Sequence, residues 1–277
     1  MTLPAYEYKG LMAQAWDVLR GDTSQWADRS FYLKLIETYG QPVLDVGCGT
    51  GRLLLDYLAQ GIDIDGVDNS PDMLDICRHK AATLGLTPTL YEQYLETLSL
   101  PRQYRTIMIP SSTLQLVIDP AMVVQTLQRL AAHVSPGGIV AAPFMTVWKP
   151  GDPLTREWEQ TAVRAEDGVT FRRIGKYWYD PARECTDTED RYQVIMDDHV
   201  VAEEVHRRSP ALRSYTQAQA QAVFEHAGFN PIELYSAPFT FEPVKADDTG
   251  FTVVGHKING AVSQPIDASA QTQGRHL

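Results

Sequence analysis

Three cysteines in 277 residues, Cys48, Cys77 and Cys185, with no CxxC pair among them, leave nothing for a disulfide framework or a zinc knuckle. No metal site is expected, and so few thiols fit a reducing, cytoplasmic compartment. Basic residues are outnumbered, 24 Lys and Arg against 35 Asp and Glu, so the formal charge is -11 and the chain would repel a phosphate backbone. Nucleic acid is therefore not the expected partner. No apolar run approaches the roughly 18 residues of a membrane span, and the start, MTLPAYEYKG, lacks the basic-then-apolar order of a secretory signal. What remains is ordinary: 44% hydrophobic residues, 19 glycines and 17 prolines, enough for one sizeable core.

Two amphipathic helices are expected in residues 9–39, with Leu11, Ala15 and Leu19 on one stripe and a break at Gly21. The first convincing strand, Pro42 to Val46, runs into Gly47-Cys48-Gly49-Thr50-Gly51 and then a helical run over 52–60 that stops at Gly61. The unit repeats. Ile62 to Asp68 is a second strand, Ser70 and Pro71 open a helix with Met73, Leu74, Cys77 and Ala81 on its buried stripe, and a third strand follows near Thr89 to Tyr91. A fourth strand, Thr106 to Pro110, precedes a helix capped by Asp119, and a fifth, Ile139 to Ala142, follows the turn SPGG. Strands alternating with helices give a doubly wound α/β fold, a mostly parallel sheet with helices on both faces.

After Pro143 about 70 residues pass before the next helix, far beyond an ordinary α/β connection. Phe171 to Tyr179, Arg191 to Met196 and Val200 to His206 read as an antiparallel meander, with turns at Asp180-Pro181 and Asp197-Asp198. It is expected to cover the carboxyl ends of the parallel strands, where α/β proteins bind ligands. The pattern resumes with a helix capped by Thr216 and strands near Ile232 to Tyr235 and Phe251 to Gly255. One domain over 1–257 is expected, with a substrate lid inserted at 144–208 and a disordered tail at 258–277.

The chemistry concentrates at Asp45-Val46-Gly47-Cys48-Gly49-Thr50-Gly51 and at Asp68, after the next strand. Glycines let a ligand approach main-chain N–H groups at a helix start, and a carboxylate at the end of the second strand can accept hydrogen bonds from ribose hydroxyls. The spacing is GxGxG rather than the GxGxxG of dinucleotide folds, and an acid stands two residues before the first glycine. A pyrophosphate would gain nothing from Asp45; the ammonium of S-adenosylmethionine would. A nicotinamide-dependent oxidoreductase is the distant rival for this loop, and a cofactor-binding regulator without turnover is the non-enzymatic one.

At this point VLDVGCGTGR followed by GVDNSPDML resembles the class I S-adenosylmethionine-dependent methyltransferases, over about residues 9–257. The resemblance implies a seven-stranded Rossmann-like sheet with an antiparallel last strand. It implies ammonium binding by Asp45 and the loop of Gly47, Cys48, Gly49 and Gly51, ribose binding by Asp68, and adenosine contacts from Asn69 and Met73. AWDVLRGDT (15–23) and PSSTLQL (110–116) are similar to their counterparts in glycine N-methyltransferase and the antibiotic-sugar N-methyltransferases. That similarity implies that Pro110 and Ser111 flank the cofactor's methionine part and that the acceptor is a small molecule, methylated at nitrogen or oxygen. Two positions depart from the family. Tyr94 and Leu95 stand where an Asp-Met pair is usual beside the adenine, and Gln115 stands where glycine N-methyltransferase has a histidine.

The acceptor side is less specific. Tyr6, Tyr8, Trp16, Trp26, Tyr177, Trp178 and Tyr192 are candidate aromatic walls, which can stabilise a sulfonium by cation–π contact. His206, Tyr177 and Tyr192 are the candidate catalytic groups, with His206 as a base. Arg207-Arg208 reads as a solvated pair.

Overall fold

The structure, a computed structural model, describes residues 6–237 and 239–258. Tail residues 259–277 thus lie outside the described residues. The first element is helix α1 (Gly10–Arg20), followed by α2 (Ala27–Tyr39), β1 (Val43–Val46), α3 (Leu54–Ala59), β2 (Ile64–Asp68), α4 (Pro71–Thr83) and β3 (Thr89–Glu92). Next come β4 (Tyr104–Met108), α5 (Pro120–His133) and β5 (Val134–Met145), then the antiparallel β6 (Thr155–Val163), β7 (Thr170–Asp180), β8 (Cys185–Met196) and β9 (His199–Arg213). Helix α6 (Gln217–His226), β10 (Ile232–Ser236) and β11 (Gly250–His256) close the chain.

Seven strands form the main sheet in the order β10-β11-β5-β4-β1-β2-β3. Pairings among β1 to β5 are parallel, and β11 runs antiparallel to both β5 and β10. Because successive strand side chains point to opposite faces, β1 feeds two cores. Leu44 and Val46 join the layer of α5 and α6, and Val43 joins the layer that holds Phe31, Leu54 and Leu74. Asp45 shares the parity of Val43, so a carboxylate sits at the edge of an apolar layer. The order reverses at β1, with β2 on one side and β4 on the other, and the carboxyl ends of these strands open the crevice.

Caps read from the sequence form as hydrogen bonds. Ser70 Oγ accepts from the Met73 N–H, Asp119 from the Ala121 N–H, and Thr216 completes a capping box with Gln219. Other expectations need correction. The helix after the glycine loop starts only at Leu54, because 51–53 are spent in the turn. The SPGG turn is absorbed into β5, which begins at Val134 and carries an irregular register against β4.

The meander has four strands, in the order β6-β7-β8-β9, rather than three. β6, TREWEQTAV, was not expected: it is mostly exposed and polar, so it lacks the apolar alternation that marks a half-buried strand. The expected Arg191–Met196 is the second half of β8, and β9 continues past His206 to Arg213. The hairpin turn does fall at Asp197-Asp198, both with positive φ (47° and 63°) as a primed turn demands. Helix α1 packs on this second sheet rather than the first: Leu11, Met12, Ala15 and Leu19 form a cluster with Val169, Phe171 and Tyr192.

Gln115 joins the two sheets. Its fully buried amide accepts from Met145 N–H at 2.9 Å and donates to Met145 O at 3.0 Å and Arg213 O at 2.6 Å, tying the end of β5 to the end of β9. Replacing it removes three part-buried hydrogen bonds to main-chain groups, of which Met145 O keeps a second donor, Tyr215 N–H at 3.2 Å. Gln115→Ala is therefore expected to lower the unfolding free energy by about 2–4 kcal/mol. Urea denaturation checks this, and a loss below 1 kcal/mol would contradict the role given to that amide.

Candidate active site

The turn after β1 is held against the end of β2. Gly47 and Cys48 N–H groups both donate to Val67 O, at 2.8 and 3.1 Å, and Gly49 N–H donates to Asp68 Oδ2 at 2.9 Å. Gly47, Gly49 and Gly51 all have positive φ (72°, 54° and 83°), which side-chain-bearing residues rarely adopt. Their surroundings differ. A Cβ on Gly51 would lie 2.6 Å from Cys77 Sγ, so this glycine serves packing behind the loop; a Cβ on Gly49 would meet nothing closer than 4.0 Å. Gly49 thus faces open space beside Trp16, whose Nε1 is one of its two nearest neighbours.

Asp68 is fixed from two sides, since its Oδ1 accepts from Ser70 N–H at 2.9 Å while Oδ2 takes Gly49 N–H. Each oxygen keeps a lone pair, so the carboxylate can still accept from a pair of hydroxyls. Burial pushes Asp68 above the usual carboxylate range, against the pull of those N–H groups. Asp45 is more strongly perturbed. Burial, with the like charges of Asp68 and Asp28 added, raises it to about 7, opposed by the guanidinium of Arg52. Its Oδ1 is buried with no partner, as is Asn69 Nδ2. Unpartnered buried polar atoms cost free energy, and a ligand with a cation for one and an acceptor for the other would recover it.

A cavity of about 520 Å³ opens over this loop. Its floor takes in Asp45, Gly47, Cys48, Gly49, Asp68 and Asn69, with Met73, Leu95, Pro110 and Ser111 around them, and the lid contributes Tyr177 and Tyr192. Ser111, at the end of β4, adopts φ 58°, a costly conformation for a serine and a common mark of a working site. Three expected residues do not line the cavity. Gly51 lies behind the loop. Tyr94 turns its ring edge-on to Tyr6, and Gln93 takes the wall position instead. His206 engages Glu204 Oε2 at 3.1 Å and sits edge-on to Tyr192.

Of the aromatic candidates, Tyr6, Tyr8 and Trp16 line the cavity, whereas Trp26 and Trp178 are each 39% exposed and do not. The reading of Arg207-Arg208 needs correction. On β9 they point to opposite faces: Arg207 is solvated and pairs with Glu189, while Arg208 turns inward. Arg20, Arg52 and Arg173 are further wall residues that sequence reasoning passed over, because lone arginines carry no motif. Asp190, ion-paired with Arg173 at 2.8 Å, is the lid's carboxylate on the cavity among the described residues. The gateway helix α1 is tied to both sides, with Gly10 N–H on Asp72 of α4 and Leu11 N–H on Glu204 of β9.

A glycine loop between two carboxylates, at the switch point of a seven-stranded sheet with a separate lid, is the architecture of a class I methyltransferase. A family model described as a methyltransferase domain matches residues 43–138, which run from β1 into β5. The dTDP-3-amino-3,6-dideoxy-alpha-D-glucopyranose N,N-dimethyltransferase of Streptomyces fradiae is 26% identical over 234 residues, 82% of this chain and 87% of the relative. Against most other curated relatives the chain spans only about half their length, 56% for one from Geobacillus sp. and 50% for a ubiquinone biosynthesis O-methyltransferase of Klebsiella pneumoniae. Among solved structures, DesVI of Streptomyces venezuelae superposes with TM-score 0.67 at 22% identity, covering 90% of this chain and 99% of that one. An amino pentose methyltransferase of Micromonospora echinaspora, solved with S-adenosylmethionine bound, gives 0.64 at 20%, covering 90% and 98%. Residues 43–138 thus carry a methyltransferase domain, and the whole chain has the fold of S-adenosylmethionine-dependent methyltransferases.

The raised pKa of Asp45 has a sign that can be measured without ligand. Between the usual carboxylate range and about 7 the folded protein keeps a proton that the unfolded chain has lost, so stability falls as pH rises through that window. Above it the full cost of the buried charge is present. Asp45→Asn is expected to unfold with on the order of 1–3 kcal/mol more free energy than wild type at pH 8, the gap closing towards pH 4. Equal stability of the two proteins at pH 8 would show that Asp45 carries no such cost.

Proposed function

We propose that this protein transfers a methyl group from S-adenosylmethionine to a small-molecule acceptor, at nitrogen in preference to oxygen. The observation that carries the reading is the buried, unpartnered Oδ1 of Asp45 on the floor, beside the glycine loop and the N–H-anchored Asp68. The residues fit the cofactor. Asp45 and the loop would take its ammonium, Asp68 its ribose hydroxyls, and Asn69, Met73, Gln93 and Leu95 its adenosine end, with Pro110 and Ser111 along the methionine part. When bound, the cofactor supplies a methyl carbon made electrophilic by the sulfonium.

The protein's own task is orientation. Holding an acceptor in line with that carbon can supply roughly 7–11 kcal/mol of the barrier, with no covalent partner from the protein. Tyr177, Tyr192 and Trp158 on the inner face of the lid supply walls that exclude water. No acid–base work falls to Gln115, whose amide is wholly engaged between the sheets. Asp190 and Tyr192, which line the cavity from the lid, would hold an acceptor amine or its proton in this reading. The preference for nitrogen rests on the likeness to the Streptomyces fradiae N,N-dimethyltransferase of an amino-sugar nucleotide.

Titration calorimetry with S-adenosylhomocysteine and S-adenosylmethionine should show binding. No heat at millimolar ligand, confirmed by a second binding assay, rejects the reading. Asp45→Ala and Asp68→Ala should each weaken binding by about 2–3 kcal/mol. Because only ionised Asp45 pairs with an ammonium, affinity should drop about tenfold per unit as pH falls below about 7, with proton release on binding. A flat affinity between pH 5.5 and 7 would assign the ammonium elsewhere. Methyl transfer from labelled S-adenosylmethionine to a panel of amino-sugar nucleotides, free amines and phenols tests the acceptor class.

A further inference from the structure

The charges on the cavity wall divide into two sets. The floor carries two carboxylates, Asp45 and Asp68, and the wall above it carries Arg20, Arg52, Arg173 and Arg208. Two of these arginines are neutralised: Arg52 grips Asp28 with both terminal nitrogens, and Arg173 pairs with Asp190. The other two have no carboxylate within ion-pair distance among the described residues. Asp17, the acid that acts on Arg20, is already engaged by Thr50 Oγ1 at 2.7 Å and Lys80 Nζ at 2.8 Å. Among the described residues, the hydrogen-bond partners of Arg208 are Glu7 O at 3.5 Å and Met12 Sδ at 3.1 Å.

These two arginines are the ends of one stack. The Arg208 guanidinium lies 4.4 Å from the centre of the Tyr8 ring, Tyr8 meets Trp16 edge-on at 4.7 Å, and the Arg20 guanidinium lies 3.4 Å from the centre of Trp16. All four side chains line the cavity. A guanidinium over a ring face keeps N–H donors at its edge, those of Arg20 and those of Arg208 other than Nη2, and such an edge suits in-plane recognition of an oxyanion. The rings do not neutralise the guanidiniums. Burial, with the like charges of Arg52 and Arg173 added, pushes Arg20 down to about 10 against the pull of Tyr8 and Asp17.

We infer that the methyl acceptor carries an oxyanion, a carboxylate or a phosphate, and docks it on the rail that runs from Arg208 through Tyr8 and Trp16 to Arg20. Charge arithmetic supports the acceptor over the cofactor as the source. S-adenosylmethionine brings a single carboxylate, which cannot satisfy two separate arginines. At least one guanidinium is left for the second substrate. In a chain of net charge -11, two uncompensated cations inside one cleft also favour entry of an anion there over any approach to the outer surface. The inference rests on the methyltransferase reading and adds the acid group of the acceptor to it.

Inorganic pyrophosphate and acetate, titrated at constant ionic strength into protein saturated with S-adenosylhomocysteine, are the probes, with melting temperature and calorimetry as readouts. Saturable binding of either is expected, the tighter of the two naming the acid class. Arg20→Gln and Arg208→Gln should each weaken it five- to tenfold and the double variant should abolish it, while affinity for S-adenosylhomocysteine changes less than threefold. Arg20→Lys and Arg208→Lys, which keep the charge and lose the planar fork, should recover part of the anion affinity, and they stand in for any Gln variant that does not fold. The inference is overturned if loaded wild-type protein binds neither anion, or if the variants bind them as wild type does. It is equally overturned if the variants instead lose tenfold or more in S-adenosylhomocysteine affinity. Failure of wild-type protein to bind S-adenosylhomocysteine at all would strike the methyltransferase reading itself.

Discussion

The structure turns on a carboxylate buried on the floor of the cavity with one of its two oxygens left without a partner. Asp45 leaves β1 on the face of the sheet that packs against the N-terminal helices, and its Oδ1 has no partner. Keeping such a group requires a fold that recovers the cost elsewhere, and the main sheet does so with two apolar layers fed by alternate residues of one short strand. The bend that follows is fastened to β2 by three N–H donors, so Asp45 and Asp68 are held in a fixed relation before any ligand arrives. Preorganisation of this kind lowers the ordering cost of binding.

The second half of the site is built by elements distant in sequence. Helix α1 belongs to the lid as much as to the core: its apolar stripe is buried against β7 and β8, and its first N–H groups are divided between Asp72 and Glu204. Gln115 makes the complementary joint at the far end, between β5 and β9. The cavity is thus closed by hydrogen bonds that cross from one sheet to the other. Its uncompensated charge follows the same division, with Asp45 and Asp68 on the floor, where the main sheet ends, and Arg20 and Arg208 where α1 meets the lid.

Local chemistry was readable in the chain wherever one short segment carries the whole cause. Ser70, Asp119 and Thr216 cap helices because their own oxygens reach the N–H groups two or three residues on. Asp197-Asp198 turns a hairpin for a similarly local reason. β6 was missed because its strand character comes from pairing with β7, not from its own pattern, and only Trp158 and Ala162 along it are even half-buried. Gly51 was counted with the ligand-facing glycines because spacing cannot reveal that Cys77 and Leu55 stand behind it. Tyr94 was set beside the adenine from its place in the chain, but the cavity wall falls to Gln93 and Leu95, because the segment after β3 leaves strand geometry and side-chain direction there is set by the loop.

By itself, the amino-acid order determined the doubly wound core, the glycine bend and the two acids beside it, since each follows from contacts within a single strand–turn–helix unit. Tertiary structure decided what stands across from them. Four arginines, two without a carboxylate in ion-pair distance among the described residues, converge from α1, the turn before α3, β7 and β9 only because the chain folds back between its two sheets. No periodicity along a chain records which of its charges will share a cavity, because that depends on the register of strands paired across gaps of many tens of residues.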